Sequence, residues 1–211
     1  TYSTVTITQN FTTTGFVKMY NYAGSYSHTV QSQSSLNPTI TIQGNLEFPD
    51  TSGTNRYLGT SLASTNLTVN LGGNLVMSES AVGLYATIIF DGTGDQTMSK
   101  TAGLASTTMS STKVSGNLNI TTYSGASDTI TWSSGSITAD NGVTLGGLRI
   151  SGGTFNMGSS TISQAFFLQG GTFVASSATT TFKSNFTKTG GTFTHNSGIV
   201  SFEAVNTSPT I

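Results

Sequence analysis

The chain has 211 residues, and its 7 Lys or Arg and 8 Asp or Glu give a net charge of −1. A charge so close to zero creates no field that attracts phosphates or an anionic bilayer, which argues against nucleic-acid binding. The lack of cysteine excludes disulfides and thiolate metal ligands, and no apolar run is long enough for a membrane-spanning helix.

The chain is predicted to be folded and all-β. Gly, Ser and Thr are abundant, but Pro is only 3, while Phe is 12 and Tyr is 7. Disordered segments usually contain few aromatic and β-branched residues. Apolar residues alternate with Thr or Asn along residues 4–8, 39–42 and 66–71, a pattern typical of half-buried strands.

The first part of the chain differs from the rest because it contains four tyrosines and no Gly-Gly pair. We predict that residues 1–43 form an N-terminal strand and a capping segment, with the long alternating strand over residues 1–14. Residues 44–211 are predicted to form the repetitive domain.

A Gly-Asn-Leu motif recurs in the middle of the chain, at residues 44–46, 73–75 and 116–118. In each copy an apolar residue follows two positions after the leucine. The spacing of the copies is irregular, so we expect the same structural unit with longer turns between its strands.

A Gly-Gly-Thr-Phe motif is the clearest repeat, at residues 152–155, 170–173 and 190–193. With the degenerate copy at 134–137, its last residues are spaced by 18, 18 and 20 positions, and another apolar residue lies seven positions before each. We predict that these two series form the core: Ile130, Ile137, Leu148, Phe155, Phe166, Phe173, Phe186 and Phe193.

A unit of this size cannot enclose a core alone, so identical units must stack. Each strand would pair with the unit below at about 4.8 Å, and the inward side chains would form continuous columns. Glycine at the corners permits positive φ and a close passage of one unit over the next. The predicted fold is therefore a β-solenoid (β-helix) with rungs of about 18–20 residues.

Residues 190–202 and 90–97 resemble the β-strand repeats of large exported surface proteins of microbes. The resemblance implies an extracellular β-solenoid that serves as a stalk, adhesin or fibre. It brings no catalytic residue with it. The expected partner is a second copy of the chain, with surface glycans as a further candidate partner.

The acidic residues do not predict an enzyme. Enzymes built on β-helices need clustered carboxylates in a groove, whereas Asp128 and Asp140 lie 12 positions apart in one repeat without neighbouring acids in the repeats that follow. We interpret both as solvated corner residues. No catalytic or cofactor-binding residue is predicted.

No metal site is predicted either. Asp91-Gly-Thr-Gly-Asp95 could supply oxygen ligands to calcium, but it lacks a tandem Gly-Gly-x-Gly-x-Asp pattern, so a plain turn is favoured. His28 and His195 have no second His or Cys at ligand spacing.

The leading functional hypothesis is a filament or stalk subunit that associates with itself through end-to-end pairing or strand donation. Unpaired strands at the ends of a solenoid recruit further strands, and a low net charge gives little repulsion between copies. Pairing of the N-terminal strand within its own chain is the alternative to donation. The candidate assembly residues are Thr4, Val5, Thr6, Ile7, Thr8, Thr210 and Ile211.

The second hypothesis is an ice- or carbohydrate-binding module. Thr154, Thr172 and Thr192 occupy equivalent positions in successive repeats and would form a partial ladder of hydroxyl groups. An ordinary structural ladder is the competing interpretation of the same residues.

Overall fold

The computed structural model describes residues 2–19, 27–32, 36–49, 56–59, 67–78, 82–101 and 108–203. This part of the chain contains strands, turns and bends but no helix. The strands are β1 Tyr2–Ile7, β2 Phe11–Thr13, β3 Val17–Lys18, β4 Ser27–Ser32, β5 Thr39–Ile42, β6 Leu46–Phe48, β7 Arg56–Gly59, β8 Thr68–Leu71, β9 Leu75–Met77, β10 Val82–Tyr85, β11 Thr87–Phe90, β12 Gln96–Lys100, β13 Thr108–Ala139, β14 Thr144–Ile150, β15 Thr154–Met157, β16 Ser160–Ile162, β17 Phe166–Leu168, β18 Thr172–Val174, β19 Thr179–Phe182, β20 Phe186–Lys188, β21 Thr192–Thr194 and β22 Ile199–Phe202.

The strands stack in parallel along three sides, which confirms the predicted β-solenoid. Side one carries β2, β5, β8, β11, β14, β17 and β20, and side two carries β3, β6, β9, β12, β15, β18 and β21. Side three lies between side two and side one along the chain. It carries β1, β4, β7 and β10, which stack on one another, and later in the chain β16, β19 and β22, which also stack on one another.

The long strand β13 bends around corners and contributes to successive coils. Its early residues pair with β11 and β12, and its late residues pair with β14 and β15. The Thr112 and Ser133 hydroxyl groups lie 2.7 Å apart, and the Ser136 hydroxyl donates to the Asn117 side chain at 2.7 Å. The two halves of β13 therefore lie in neighbouring coils.

The length of a coil agrees with the predicted rung in the later part of the chain. There, Ile137 pairs with Phe155, Phe155 with Phe173, and Phe173 with Phe193, which are the predicted spacings. At the other end, Phe11 pairs with Ile40 and Ile40 with Val69, so those coils are about 29 residues long. The additional residues lie in the connections on either side of β4 and β7.

The N-terminal segment belongs to the same stack. β1 pairs with β4, β2 with β5, and β3 with β6, so no break in strand pairing occurs near residue 43. The predicted strand over residues 1–14 is two strands, because the chain turns at Thr8–Asn10 between side three and side one. Among the described strands, this segment forms the first coil of the stack.

Asparagine at the corners explains the Gly-Asn-Leu motif. The Asn74 N–H donates to the Asn45 side-chain oxygen at 2.9 Å, and the Thr97 N–H donates to that of Asn74 at 2.7 Å. One coil later, the Asn117 N–H donates to Asp95 Oδ1 at 2.9 Å. Each corner side chain thus satisfies a backbone donor of the next coil, where the turn interrupts the ladder.

Later corners use Gly-Gly in place of asparagine. Gly153 and Gly171 have φ of 71° and 67°, a region that favours glycine. A Cβ at Gly171 would lie 2.4 Å from the Gly153 carbonyl oxygen. The motif is therefore required both by backbone conformation and by the close approach of successive coils.

The core is a set of columns of inward side chains that runs through the stack. Ile130, Ile137, Leu148, Phe155, Phe166 and Phe173 are buried, and Phe186 and Phe193 are partly buried and pack against them. Their rings stack between coils, as for Phe155 and Phe173, with centroids 6.0 Å apart. Partial exposure of the last two follows from their place in the final described coil.

Candidate functional site

The first coil exposes the start of each core column. Val5 heads the side-three column Val5–Val30–Leu58, Phe11 heads side one, and Val17 heads side two. Val5 is 56% exposed and Phe11 is also exposed. Together with Ile7 and Met19, they line an apolar cavity of about 160 Å³ at this end.

The predicted assembly residues near the start of the chain lie in β1 or directly after it. Thr4, Thr6 and Thr8 are exposed, and Ile7 is partly buried against the core. One edge of β1 is occupied by β4 of its own chain. The other edge has no partner strand among the described residues, so β1 is an edge strand and is already part of its own sheet.

The last described coil exposes the opposite end of the columns. β20, β21 and β22 each pair only with the preceding coil among the described strands. Phe202 ends the column Ile162–Phe182–Phe202 and is exposed, although its ring stacks on Phe182 with centroids 5.6 Å apart. Thr210 and Ile211, the other predicted assembly residues, lie outside the described residues.

Columns of hydroxyl groups run along the sides of the stack. Thr154, Thr172 and Thr192 pair in register on side two, as the sequence predicted. Thr144, Thr161 and Thr181 pair in register on side three, where they line a shallow groove of about 270 Å³. The side-three column was not identified from the sequence, because its residues do not share a repeated motif.

The structure contradicts our interpretation of Asp128. Asp140 is exposed at a corner, as expected, but Asp128 is buried. Lys100 Nζ lies 2.9 Å from Asp128 Oδ1 and 2.7 Å from Oδ2, and the Tyr123 hydroxyl donates to Oδ2 at 2.8 Å. A buried carboxylate requires such partners. Tyr123 lies five residues before Asp128 in the same strand, but Lys100 comes from β12, so the cation cannot be recognised from the residues near Asp128.

Lys100 itself was missed, although the sequence contains a signal for it. β12 alternates strictly, so Gln96, Met98 and Lys100 all point inward. Extending the alternation past Met98 would have placed an ammonium group in the core, where it needs an acceptor.

A second buried lysine stabilises a corner. Lys113 Nζ donates to the Gly92 carbonyl at 2.6 Å and to Gln96 Oε1 at 2.7 Å. The Gln96 amide in turn donates to the Leu71 carbonyl at 2.8 Å. Desolvation lowers the pKa of Lys113, and Asp95 and Asp91 oppose this effect. The network joins three successive coils.

Burial also affects the titration of Tyr123. Desolvation, followed by the charge of Asp128 and the hydrogen bond to it, raises the pKa of Tyr123 well above its ordinary value. The phenol is therefore a hydrogen-bond donor throughout the neutral pH range.

Residues 91–95 form a corner in which Asp95 accepts the Asn117 N–H. His195 is exposed, and the His28 side chain lies outside the described part. Within the described ranges, no three His, Cys, Asp or Glu side chains lie close enough to hold a metal ion.

Among the residues that the structure describes, no helix is long and apolar enough to cross a membrane. Comparison with known proteins gives no match for this chain among protein-family models, curated proteins or solved structures.

Proposed function

We propose that the protein is a structural subunit of an extracellular filament or stalk that polymerises head to tail through its end coils. The observation that carries this proposal is that the first and last described coils both present unpaired strand edges on all three sides. β1, β2 and β3 form the first of these coils, and β20, β21 and β22 form the last. Strand pairing is continuous on sides one and two, whereas on side three β1, β4, β7 and β10 form a sheet of their own.

Stacking of the first coil of one copy on the last coil of another would continue the pairing that joins coils within the chain. On side one, β20 (Phe186–Lys188) of one copy would lie against β2 (Phe11–Thr13) of the next. Parallel pairing requires a head-to-tail arrangement, and a contact of this kind repeats without closing. The exposed apolar side chains would become buried, which favours association.

This arrangement uses end-to-end pairing. Donation of β1 into a neighbour would require the loss of its pairing with β4 over six residues of each strand. The low net charge and the resemblance to exported surface repeats support an extracellular structural role.

Charged residues at strand edges oppose strand addition, which gives a test. The N-end variant carries Val5→Lys and Phe11→Lys, and the C-end variant carries Val200→Lys and Phe202→Lys. Val114 is 62% exposed on β13, away from both end coils, so Val114→Lys is the matched control.

Sedimentation velocity and negative-stain microscopy should show concentration-dependent rods for the wild type and for Val114→Lys. Each end variant alone should be a monomer with unchanged circular dichroism. An equimolar mixture of the two should form dimers only, because each variant keeps one intact end. A wild type that stays monomeric at high concentration, or a mixture that does not dimerise, would contradict the proposal.

The hydroxyl columns favour a second candidate, an ice- or carbohydrate-binding module. Thr154, Thr172 and Thr192 are separated by the strand spacing of about 4.8 Å on side two, in register. A regular array of this kind can order water or hydrogen-bond to sugar hydroxyls.

Inhibition of ice recrystallisation and binding to a glycan array would test this candidate. Thr172→Tyr should remove either activity, whereas Thr131→Tyr should not, because Thr131 stacks on Arg149 outside the column. Absence of both activities in the wild type would exclude this function.

A further inference from the structure

Lys100, Tyr123 and Asp128 form a closed polar cluster inside the solenoid. Lys100 is 0% exposed and Asp128 is 1% exposed. Lys100 Nζ contacts both carboxylate oxygens, at 2.9 and 2.7 Å, and the Tyr123 ring centroid lies 5.8 Å from it. The amine and the carboxyl group are thus held together away from solvent.

Burial makes this pair unusual in its energetics. Two charges removed from water carry a desolvation cost that their attraction offsets only in part. Transfer of one proton from Nζ to the carboxylate would give the neutral amine and the neutral acid that amide formation requires. Such a pair contains the two reactants of amide formation.

The fixed positions of the amine and the carboxyl group also favour a reaction between them. Groups held in a suitable orientation react as if their concentration were on the order of 10⁵–10⁸ M. Tyr123 donates a hydrogen bond to Oδ2 at 2.8 Å, where negative charge would develop if the amine attacked the carboxyl carbon. A preorganised donor at that oxygen stabilises the tetrahedral intermediate.

We propose that Lys100 and Asp128 form an intramolecular isopeptide bond. One proton moves from Nζ to Oδ1, and the neutral amine then attacks Cγ. A second proton moves from Nζ to Oδ1, the Cγ–Oδ1 bond breaks, and one water molecule leaves. The product is a neutral amide in which Oδ2 is the carbonyl oxygen and Nζ keeps one hydrogen.

The reaction needs no oxidant, metal or cofactor, and its only by-product is water. The bond would join Lys100 of strand β12 to Asp128 of strand β13, 28 residues further along the chain, so that two coils could not separate without breaking a covalent bond. This inference does not depend on the proposed function.

Lys113 provides an internal comparison. It is also buried, but its ammonium group donates to the Gly92 carbonyl and to the Gln96 amide oxygen. Neither of these groups is a carboxyl group that could form an amide with the amine, so Lys113 should remain unmodified.

Intact-mass spectrometry of the folded wild type tests the proposal. The mass should be lower than the sequence mass by about 18 Da, the mass of one water lost in a covalent modification. Trypsin does not cleave after an acylated lysine. The digest should therefore contain residues 57–113 joined to residues 114–149 and cleaved normally after Lys113.

Lys100→Arg keeps a cation beside Asp128 but cannot form this amide, so its mass should equal that of its sequence. Tyr123→Phe should slow the mass loss during incubation after refolding. Folded wild-type protein that retains its full mass after prolonged incubation, or a linkage at any other residue pair, would overturn the proposal.

Discussion

Phe166 pairs in register with Phe186 of the next coil, and their rings stack with centroids 5.0 Å apart and planes 28° from parallel. Phe166 also contacts Phe173 and Phe182 edge to face. The aromatic columns of the three sides thus meet in one core.

Phe166→Ala should lower the free energy of unfolding by about 3–5 kcal/mol, because it removes a fully buried ring and leaves a cavity. Phe167 is its neighbour in β17 but lies on the outer face against Arg149. Phe167→Ala should cost less than about 1.5 kcal/mol, since the cation–π contact is partly solvated. Urea unfolding followed by circular dichroism would compare the two, and equal costs would contradict the assigned faces.

Gly171→Ala should destabilise the fold more than Gly142→Ala. Both glycines have positive φ, at 67° and 80°, so both alanines carry the conformational cost of about 1–2 kcal/mol. Only at Gly171 would the Cβ also meet backbone atoms of the coil below, and no atom lies within 4 Å at Gly142. Thermal unfolding should give a lower free energy of unfolding for Gly171→Ala than for Gly142→Ala. The difference measures the additional cost of close coil packing.

Lys100→Met should be less stable than the double variant Lys100→Met with Asp128→Asn. The single change leaves a buried carboxylate without its cation, which costs about 3–5 kcal/mol. The double change also replaces the carboxylate with a neutral amide, which keeps an acceptor for the Tyr123 hydroxyl. Unfolding midpoints in urea would compare the two variants. A double variant less stable than the single one would show that the single variant does not contain a costly uncompensated charge.

Stability should fall as the pH rises above the ordinary tyrosine value of 10.0, because the pKa of Tyr123 is raised in the folded state. In the unfolded chain the phenol loses its proton first, so deprotonation favours unfolding, and the stabilisation is fully present only below the unfolded value. Unfolding measured from pH 8 to pH 12 should show a smaller loss for Tyr123→Phe. The phenolate absorbance of Tyr123 should appear only with unfolding.

The sequence by itself determined the fold class and the columns of the later coils. In a stack of near-identical units, each residue lies next to the residue that occupies the same position in the following unit. The spacing of Phe155, Phe173 and Phe193 therefore predicts the strand register directly. Residues 1–43 were not recognised as part of the stack, because they contain neither the Gly-Asn-Leu motif nor a Gly-Gly pair.

Only the tertiary structure decided which polar residues meet inside the solenoid. The pairing of β12 with β13 shifts between Met98 and Ser99, and that of β13 with β14 shifts between Gly125 and Thr129. The first shift places Lys100 opposite Tyr123, and Asp128 lies within the second, so both partners of the ion pair lie at irregularities of the pairing. Period-two alternation predicts that a side chain points inward, but the identity of its partner depends on a register that alternation leaves open.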